Sequence, residues 1–222
     1  MFDFALARHN MVEGQLRTND VTDLRLLAAA NEVPRERFVP VEQREFAYID
    51  RDLPLKSGSG APPRCLMKPA GFGKLVQLAD VGPGDRVLDI GCGTGYGAAV
   101  LSRIAGSVVA LDDDPDLLRE AEAALAELRI DRVRLVSGPL AQGYPAAAPY
   151  DVILLEGAAE VLPESLFAQL AEGGRLVAML GRSRAAKAMR YVRSGDEISG
   201  FAAFDYAVPP LPGFAKAPSF TF

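Results

Sequence analysis

Residues 89–97 constrain the fold of this chain more than any other part of its sequence. They read Asp-Ile-Gly-Cys-Gly-Thr-Gly-Tyr-Gly and directly follow a short apolar run at residues 86–90. The alternating glycines are Gly91, Gly93, Gly95 and Gly97. Glycine lets the backbone adopt positive φ angles and approach a ligand closely. Because ligands of open α/β sheets bind beyond the carboxyl ends of the strands, we predict a doubly wound α/β fold with a ligand at this loop.

Strand-like and helix-like segments alternate around the loop. We predict core strands at residues 86–90, 107–111, 133–136, 151–155 and 175–180, and two further strands at 189–192 and 201–208. We predict helices at residues 24–33, 73–79, 96–104, 115–128 and 164–171. Asp114 and Pro115 indicate a helix start, because a capping side chain precedes a proline at the first helical position. This order favours a Rossmann-like fold, with a central, mostly parallel seven-stranded sheet and helices on both faces.

The N-terminal region is predicted to be a helical extension packed on this core. Thr22 or Asp23 can cap its first amphipathic helix, and Pro34 ends that helix. The predicted buried face of the helix comprises Leu24, Leu27, Ala28 and Val33. We divide the chain into a helical and loop extension at residues 1–72 and a ligand-binding core at residues 73–222. A length of 222 residues is ordinary for one α/β unit, so we expect the two parts to form a single structure.

Composition argues against several classes of partner. The net charge is −5 and no basic block offsets it, so a nucleic-acid backbone is not the expected partner. No apolar stretch approaches the roughly 20 residues needed to cross a bilayer, and the N-terminus lacks a signal-peptide pattern. Cys65 and Cys92 form no CxxC pair and His9 is the single histidine, so we expect no disulfide framework and no metal site. A reducing cytoplasm fits best, and residues 56–63 are the best candidate for a mobile loop.

A second marker of the ligand stands at the end of the next predicted strand. A carboxylate at Asp112 can accept hydrogen bonds from both ribose hydroxyls of a nucleoside, an arrangement that NAD and S-adenosylmethionine sites share. Asp89 favours S-adenosylmethionine, with S-adenosylhomocysteine as product, because an acid there can engage the amino-acid end of the ligand. No Gly-Lys-Ser/Thr follows, which excludes a Walker loop. Asp113 is either a further cofactor-binding acid or a solvated residue near the helix start.

Short motifs along the chain resemble those of one known family. They are Glu13-Gly-Gln-Leu16, Val33-Pro-Arg-Glu-Arg-Phe-Val-Pro40, Val87-Leu-Asp-Ile-Gly-Cys-Gly-Thr-Gly-Tyr96, Gln142-Gly-Tyr144, Ala148-Pro-Tyr-Asp151, Glu172-Gly-Gly-Arg-Leu-Val177 and Val208-Pro-Pro-Leu211. In this order they resemble the protein-L-isoaspartate O-methyltransferases over most of the chain, as a divergent member. Many methyltransferases share the glycine loop, whereas the N-terminal segment and the Pro-Tyr-Asp strand are more specific to this family.

The resemblance implies a methyl transfer that needs no metal. A carboxylate of the acceptor would attack the methyl group of the sulfonium by in-line displacement, and the protein would mainly align the reactants and orient charge. The implied partner is an isoaspartyl-containing protein or peptide. Its methyl ester would then close to a succinimide, which repairs damaged protein.

The acceptor side departs from the family pattern. A family motif of the form Ile-Ser-x-Pro aligns with Leu66-Met-Lys-Pro69, so that Met67 stands in the place of the serine whose hydroxyl lies by the acceptor carboxylate. A thioether cannot donate a hydrogen bond. Lys68 could hold the carboxylate instead, or be a solvated surface lysine. Cys65 could also hold it, or be a small buried hydrophobe. Met67 and Lys68 are the acceptor-loop candidates.

Two further departures lie at the ends of later strands. The Gly-Asp-Gly turn of the family aligns with Gly138-Pro-Leu140, so Pro139 replaces an acid, although the backbone of Pro139 and Leu140 could still frame an adenine ring. Glu156 ends the fourth predicted strand, where the family usually has a small residue. This side chain is either a new acid in the cleft, for a different acceptor, or it points into solvent.

Three functions stay open. The first is an O-methyltransferase of the isoaspartyl-repair kind, which the colinear motifs favour. The second is a methyltransferase for another acceptor, such as a small acid or a quinone-like metabolite, which Met67 and Glu156 suggest. The third is a non-catalytic S-adenosylmethionine-binding module, suggested by the loss of the acceptor hydroxyl and of the adenine acid. A nicotinamide enzyme is the remaining alternative, and the sequence leaves the oligomeric state open.

Overall fold

Two sheets are present in the computed structural model, which describes residues 2–55, 64–181 and 186–216. The smaller is an antiparallel ladder of β1 (Leu53–Leu55) and β2 (Arg64–Leu66). The larger has seven strands in the described ranges: β3 (Arg86–Ile90), β4 (Ser107–Asp112), β5 (Val133–Ser137), β6 (Tyr150–Ala159), β7 (Leu170–Leu180), β8 (Lys187–Ser194) and β9 (Glu197–Asp205). The loop predicted at residues 56–63 lies outside the described residues.

The order of the strands places a switch point beside β3. The order is β5-β4-β3-β6-β7-β8-β9, in which β3 to β7 are parallel and β8 and β9 are antiparallel to the strands before them. From β3 the chain moves outward to β4 and β5, and then returns to the other side of β3 for β6. Open α/β sheets bind ligands at such a reversal. The prediction of a mostly parallel seven-stranded sheet is confirmed.

The helices precede and connect these strands. They are α1 (Phe4–Met11), α2 (Leu24–Glu32), α3 (Pro69–Ala79), α4 (Tyr96–Ile104), α5 (Pro115–Glu127) and α6 (Glu164–Phe167). The predicted start of α5 is confirmed, because the Asp114 carboxylate accepts hydrogen bonds from the N–H groups of Asp116 and Leu117. Within the described part of the chain, no helix has the length and apolar character needed to span a membrane.

The two faces of the large sheet carry different layers. Side chains alternate between the faces of a strand, so that Val87 packs in one hydrophobic core and Leu88 in the other. The first core joins the sheet to α2, α3, α4 and α5. The second core contains residues of α6 together with Leu140, Leu211 and Phe214. Helical segments thus cover both faces as predicted, although the second face is covered mainly by short turns.

Helix α3 begins at Pro69, earlier than the predicted start at Gly73. Pro69 stands at the first helical position, where proline is favoured, and the glycines that follow lie against side chains from distant parts of the chain. A Cβ on Gly73 would stand 2.5 Å from Leu16, and one on Gly71 would collide with Tyr206. The helix therefore crosses residue 72, where we divided extension from core, and that division stays a prediction.

Two other local predictions were wrong in part. The helix predicted at residues 164–171 ends at Phe167, because the buried amide of Gln169 binds the Tyr144 N–H and the Gln142 carbonyl and draws the chain into β7. In α2, the buried residues are Leu26, Leu27, Ala29 and Ala30, whereas Leu24 and Ala28 are exposed. Leu24 directly follows the capping residue Asp23, and it faces away from the packed side.

A buried guanidinium joins distant parts of the N-terminal extension, and a neighbouring hydroxyl joins the extension to the core. Arg35 is fully buried, and it donates from Nε to the carbonyl of Ala47 at 2.7 Å and from Nη2 to the carbonyl of Met67 at 2.6 Å. The Thr94 hydroxyl of the glycine loop donates to the Phe38 carbonyl at 2.5 Å. The extension is thus bonded directly to the loop that the sequence singled out.

We predict that Arg35→Ala destabilises the fold strongly. The change leaves the buried carbonyls of Ala47 and Met67 without their donor, so we expect a loss of about 3 kcal/mol in the free energy of unfolding, measured by urea denaturation. The matched control is Arg37→Ala in the same turn. Its exposed ion pair with Glu127 contributes less than about 1 kcal/mol. Equal losses for the two variants would contradict the anchoring role of Arg35.

Candidate functional site

The glycine loop turns the chain from β3 into α4. Gly91, Gly93 and Gly95 have positive φ angles of +80°, +55° and +89°. Other L-residues rarely adopt this conformation, which explains the alternating glycines. The Gly91 N–H donates to the Leu111 carbonyl of β4 at 2.8 Å, and the Gly95 N–H donates to the Cys92 carbonyl at 2.9 Å. The loop therefore lies at the carboxyl edge of the sheet, at the switch point.

Asp112 ends β4 beside this loop. Its Oδ2 accepts a hydrogen bond from the Gly93 N–H at 2.8 Å, and its Oδ1 accepts one from the Asp114 N–H at 3.0 Å. The side chain is fully buried. One carboxylate therefore ties the glycine loop to the start of α5.

Arg64 of β2 pairs with Asp112, a contact that the sequence did not predict. Nη2 lies 2.7 Å from Oδ2 of Asp112, and Nη1 lies 3.0 Å from Oδ1, so the two groups form a pair of hydrogen bonds. Nη1 also lies 3.2 Å from Oδ1 of the partly exposed Asp113. Burial raises the pKa of Asp113, and the charge of Asp112 raises it further. No local pattern indicates this cluster, because residues 64 and 112 are far apart in the chain.

Asp89 and Glu156 form a buried pair of carboxyl groups. Asp89 lies one residue before the end of β3, and Glu156 lies in the second half of the neighbouring β6, on the sheet face that α4 covers. No donor among the described residues bonds to either oxygen of Asp89 or to Oε1 of Glu156. The two buried acids therefore lie close together without a hydrogen-bond donor from the described part of the chain.

The surroundings of this pair oppose ionisation. Burial raises the pKa of Asp89 and that of Glu156, and the charge of Asp89 raises the pKa of Glu156 further. Oε1 of Glu156 packs against Gly97, which has no side chain to occupy that space. The alternative that Glu156 points into solvent is therefore wrong, and the side chain is an acid inside the site.

Arg35 adds a positive charge near these acids. Its guanidinium carbon lies 4.7 Å from the centre of the Tyr96 ring, and Nη1 is buried without a hydrogen-bond partner in the described ranges. Burial lowers the pKa of Arg35, and the nearby Tyr96 and Glu156 oppose that shift. The Tyr96 ring also packs against Phe38 and Phe72. The site thus contains unpaired donors and unpaired acceptors.

The acceptor-loop candidates have different environments. The Met67 side chain is buried in the first core, and only its carbonyl makes a polar contact, with Arg35. Lys68 is partly exposed, with Nζ 4.9 Å from the centre of the Tyr206 ring. Burial raises the pKa of Cys65 to about 12, which keeps its thiol neutral. Of the three side chains, only Lys68 therefore offers a positive charge.

The predicted adenine turn follows β5 beside Asp112. The Gly138 N–H donates to the Asp112 carbonyl at 3.1 Å. Pro139 is exposed, whereas Leu140 is buried in the second core. In the described residues no three His, Cys, Asp or Glu side chains gather as metal ligands.

Comparison with known families identifies the class of this protein. The sequence model of the protein-L-isoaspartate(D-aspartate) O-methyltransferase family (PCMT) matches residues 7–204. The chain belongs to this family. A relative from Rhodopseudomonas palustris, protein-L-isoaspartate O-methyltransferase 1, is 40% identical over 184 residues, which cover 83% of this chain and 73% of that protein. A relative from Roseiflexus castenholzii, protein-L-isoaspartate O-methyltransferase, is 36% identical over 211 residues, covering 95% and 94%.

Solved structures agree with the family. A protein-L-isoaspartate O-methyltransferase superposes with a TM-score of 0.81 at 27% identity, covering 93% of this chain and 66% of that one. A Plasmodium falciparum structure described as the same enzyme, in complex with S-adenosyl-L-homocysteine, superposes with a TM-score of 0.74 at 21% identity, covering 92% of this chain and 97% of that one. The second likeness supports the fold alone. The predicted Rossmann-like methyltransferase fold is confirmed.

The carboxyl pair of this PCMT-family protein predicts a pH-dependent stability. Folding raises the pKa values of both carboxyl groups. The protonated pair therefore makes its full contribution to the free energy of unfolding below the ordinary carboxyl range, and this contribution is lost as pH rises through the folded pKa values. Glu156→Gln removes one of the two ionisations. Between about pH 5 and about pH 8, the unfolding free energy of Glu156→Gln should fall less than that of the wild type. The difference should be about 1.4 kcal/mol for each unit by which folding raises the pKa of Glu156. Urea denaturation at both pH values measures the difference.

Glu120→Gln is the matched control for this measurement. Glu120 is exposed in the middle of α5, so the same chemical change there should leave the pH dependence of the wild type intact. A Glu156→Gln variant with the same pH profile as the wild type would contradict the buried pair.

Proposed function

We propose that this protein transfers the methyl group of S-adenosylmethionine to the side-chain carboxylate of an isoaspartyl residue in a protein or peptide. Membership of the PCMT family supports the reaction. The observation that carries the proposal is the glycine loop with Asp112 at the switch point of the sheet, because this is a nucleoside-binding edge. We further propose that the protein acts in repair and in a reducing cytoplasm, the latter because both cysteines are free thiols.

The residues of the site fit the methyl donor. Asp89 has two buried oxygens without a donor, and the amino-acid end of S-adenosylmethionine brings an ammonium group that can supply one. We propose that Asp89 and Glu156 hold this group, that Asp112 holds the ribose, and that Gly138, Pro139 and Leu140 frame the adenine. Asp113 would border the ribose. The bound donor supplies an electrophilic methyl group on a sulfonium and leaves as S-adenosylhomocysteine.

The site suits a transfer that neutralises charge. An acceptor carboxylate oxygen forms the new bond to the methyl carbon, the carbon–sulfur bond breaks, and its electron pair stays on sulfur. A negative and a positive group thus become a neutral ester and a neutral thioether, so no proton has to move. Apolar surroundings favour such a step, because they stabilise the two charges less well than water does and the step removes both charges. The buried Met67 fits this role without a hydroxyl, while Lys68 can orient the carboxylate.

A second candidate function keeps the donor and changes the acceptor. Glu156 places a second buried acid next to Asp89. An acceptor that is already a carboxylate does not require this second acid as a base. A small acidic or quinone-like metabolite is the alternative acceptor that this feature favours. A binding module without turnover is the remaining alternative.

The assay uses radiolabelled S-adenosylmethionine with an isoaspartyl peptide, and with the same peptide containing ordinary aspartate as the control. We expect methanol to be released after base treatment with the isoaspartyl peptide only, because methyl esters are hydrolysed by base. No release with either peptide would contradict the proposed acceptor. Binding of the donor without any transfer to peptides or small acids would indicate the module instead.

We also predict that Asp89→Asn weakens the binding of S-adenosylhomocysteine. The change removes a charge-assisted hydrogen bond of about 1.5–3 kcal/mol, which corresponds to about tenfold or more in the dissociation constant measured by calorimetry. Asp116→Asn is the matched control, because Asp116 lies on the first turn of α5 and its carboxylate pairs with the exposed Arg119. Unchanged affinity in Asp89→Asn would show that Asp89 does not hold the amino-acid end.

A further inference from the structure

Arg64 fills every acceptor position that the backbone leaves free on Asp112. A carboxylate offers about four lone-pair positions. The N–H groups of Gly93 and Asp114 occupy one position on each oxygen, at 2.8 and 3.0 Å. Arg64 occupies the second position on each, at 2.7 and 3.0 Å. A ribose that offers two hydroxyls to Asp112 can therefore bind it only if Arg64 leaves.

The guanidinium of Arg64 also lies against the glycine loop. A Cβ built on Gly91 would stand 3.2 Å from its Nη2. Leu211 stands at 2.8 Å from the same point, so Arg64 and Leu211 together pack against the first glycine of the loop. Position and hydrogen bonding both place Arg64 in competition with the proposed donor.

Arg64 lies on a short strand that leads to the acceptor loop. Among the described residues β2 pairs with β1 alone, through three residue pairs. Leu53, Leu55 and Leu66 of this ladder are buried in the first core, so the strand can stay in place while the long side chain of Arg64 changes its partner. β2 continues directly into Met67 and Lys68. A guanidinium that leaves Asp112 therefore remains on the acceptor side of the site.

A displaced Arg64 needs another anion. Its side chain is 4% exposed, and a buried guanidinium without a partner is strongly unfavourable. Asp113 contacts it through one oxygen only, at 3.2 Å. An acceptor carboxylate can replace both hydrogen bonds that Asp112 makes, because the planar guanidinium binds carboxylates through two parallel bonds.

We propose that Asp112 holds Arg64 until the ribose of the methyl donor displaces it, and that the released guanidinium then binds the carboxylate of the methyl acceptor. The acceptor half of this inference rests on the proposed function. Donor and acceptor binding are then coupled, because the donor frees Arg64 and the acceptor keeps it away from Asp112. The acceptor therefore binds well only after the donor.

Adenosine tests the first half, because it carries the ribose without the amino-acid end or any chemistry. In calorimetry, Arg64→Ala should bind adenosine about tenfold more tightly than the wild type, since the competing ion pair is gone. Arg64→Lys should lie between them, and Arg119→Ala, exposed on α5, should match the wild type. Equal or weaker binding by Arg64→Ala overturns the inference. If thermal melting shows that Arg64→Ala is unfolded, Arg64→Lys is compared with the wild type instead. Equal or weaker adenosine binding by Arg64→Lys then overturns the inference.

Fluorescence anisotropy with a labelled isoaspartyl peptide tests the second half. With saturating S-adenosylhomocysteine, Arg64→Ala should bind the peptide about tenfold more weakly than the wild type, and Arg64→Lys should restore part of the loss. Without S-adenosylhomocysteine, the wild type should bind as weakly as Arg64→Ala. Peptide binding that is insensitive to Arg64 overturns the inference alone. No peptide binding by the wild type overturns the acceptor half together with the proposed function, while the adenosine result stands separately.

Discussion

The carboxylate of Asp112 is the interaction on which the site depends. Neighbouring parallel strands end at the same edge of a sheet, but the loops after them need a bond of their own to keep a fixed spacing. Asp112 supplies it by accepting the N–H groups of Gly93 and Asp114, one from each loop. Its charge also holds Arg64, and through Arg64 the β1–β2 ladder. One buried acid therefore organises the donor edge and the segment that leads to the acceptor.

The site is kept at a cost in stability. Asp112 and Arg64 satisfy each other, whereas the oxygens of Asp89, Oε1 of Glu156 and Nη1 of Arg35 have no partner among the described residues. Unpaired buried polar groups are unfavourable, so they are rare outside sites where a ligand completes them. A charged amino-acid end and an acceptor carboxylate bring the donors and acceptors that these groups lack. The imbalance is thus consistent with a donor and an acceptor that both bind as charged groups.

Local patterns predicted most of the core elements. Helices α4 and α5 begin as expected, because a glycine turn and an Asp-Pro cap mark their starts. Prediction failed where distant residues decide the outcome. The buried amide of Gln169 ends α6 early through its bonds to the 142–144 segment. Helix α3 includes Gly71 and Gly73, against which the distant side chains of Tyr206 and Leu16 pack.

The sequence by itself determined the fold class, the glycine loop and the acid at the end of β4, because backbone conformation at glycine and position at a strand end are local properties. It also indicated the family. Only the tertiary structure decided which buried polar and aromatic groups meet: Arg64 with Asp112, Glu156 with Asp89, and Arg35 with Tyr96. These partners are far apart along the chain and come together by packing. No spacing of residues along the sequence predicts these pairings, and the pairings define the site that the donor and the acceptor enter.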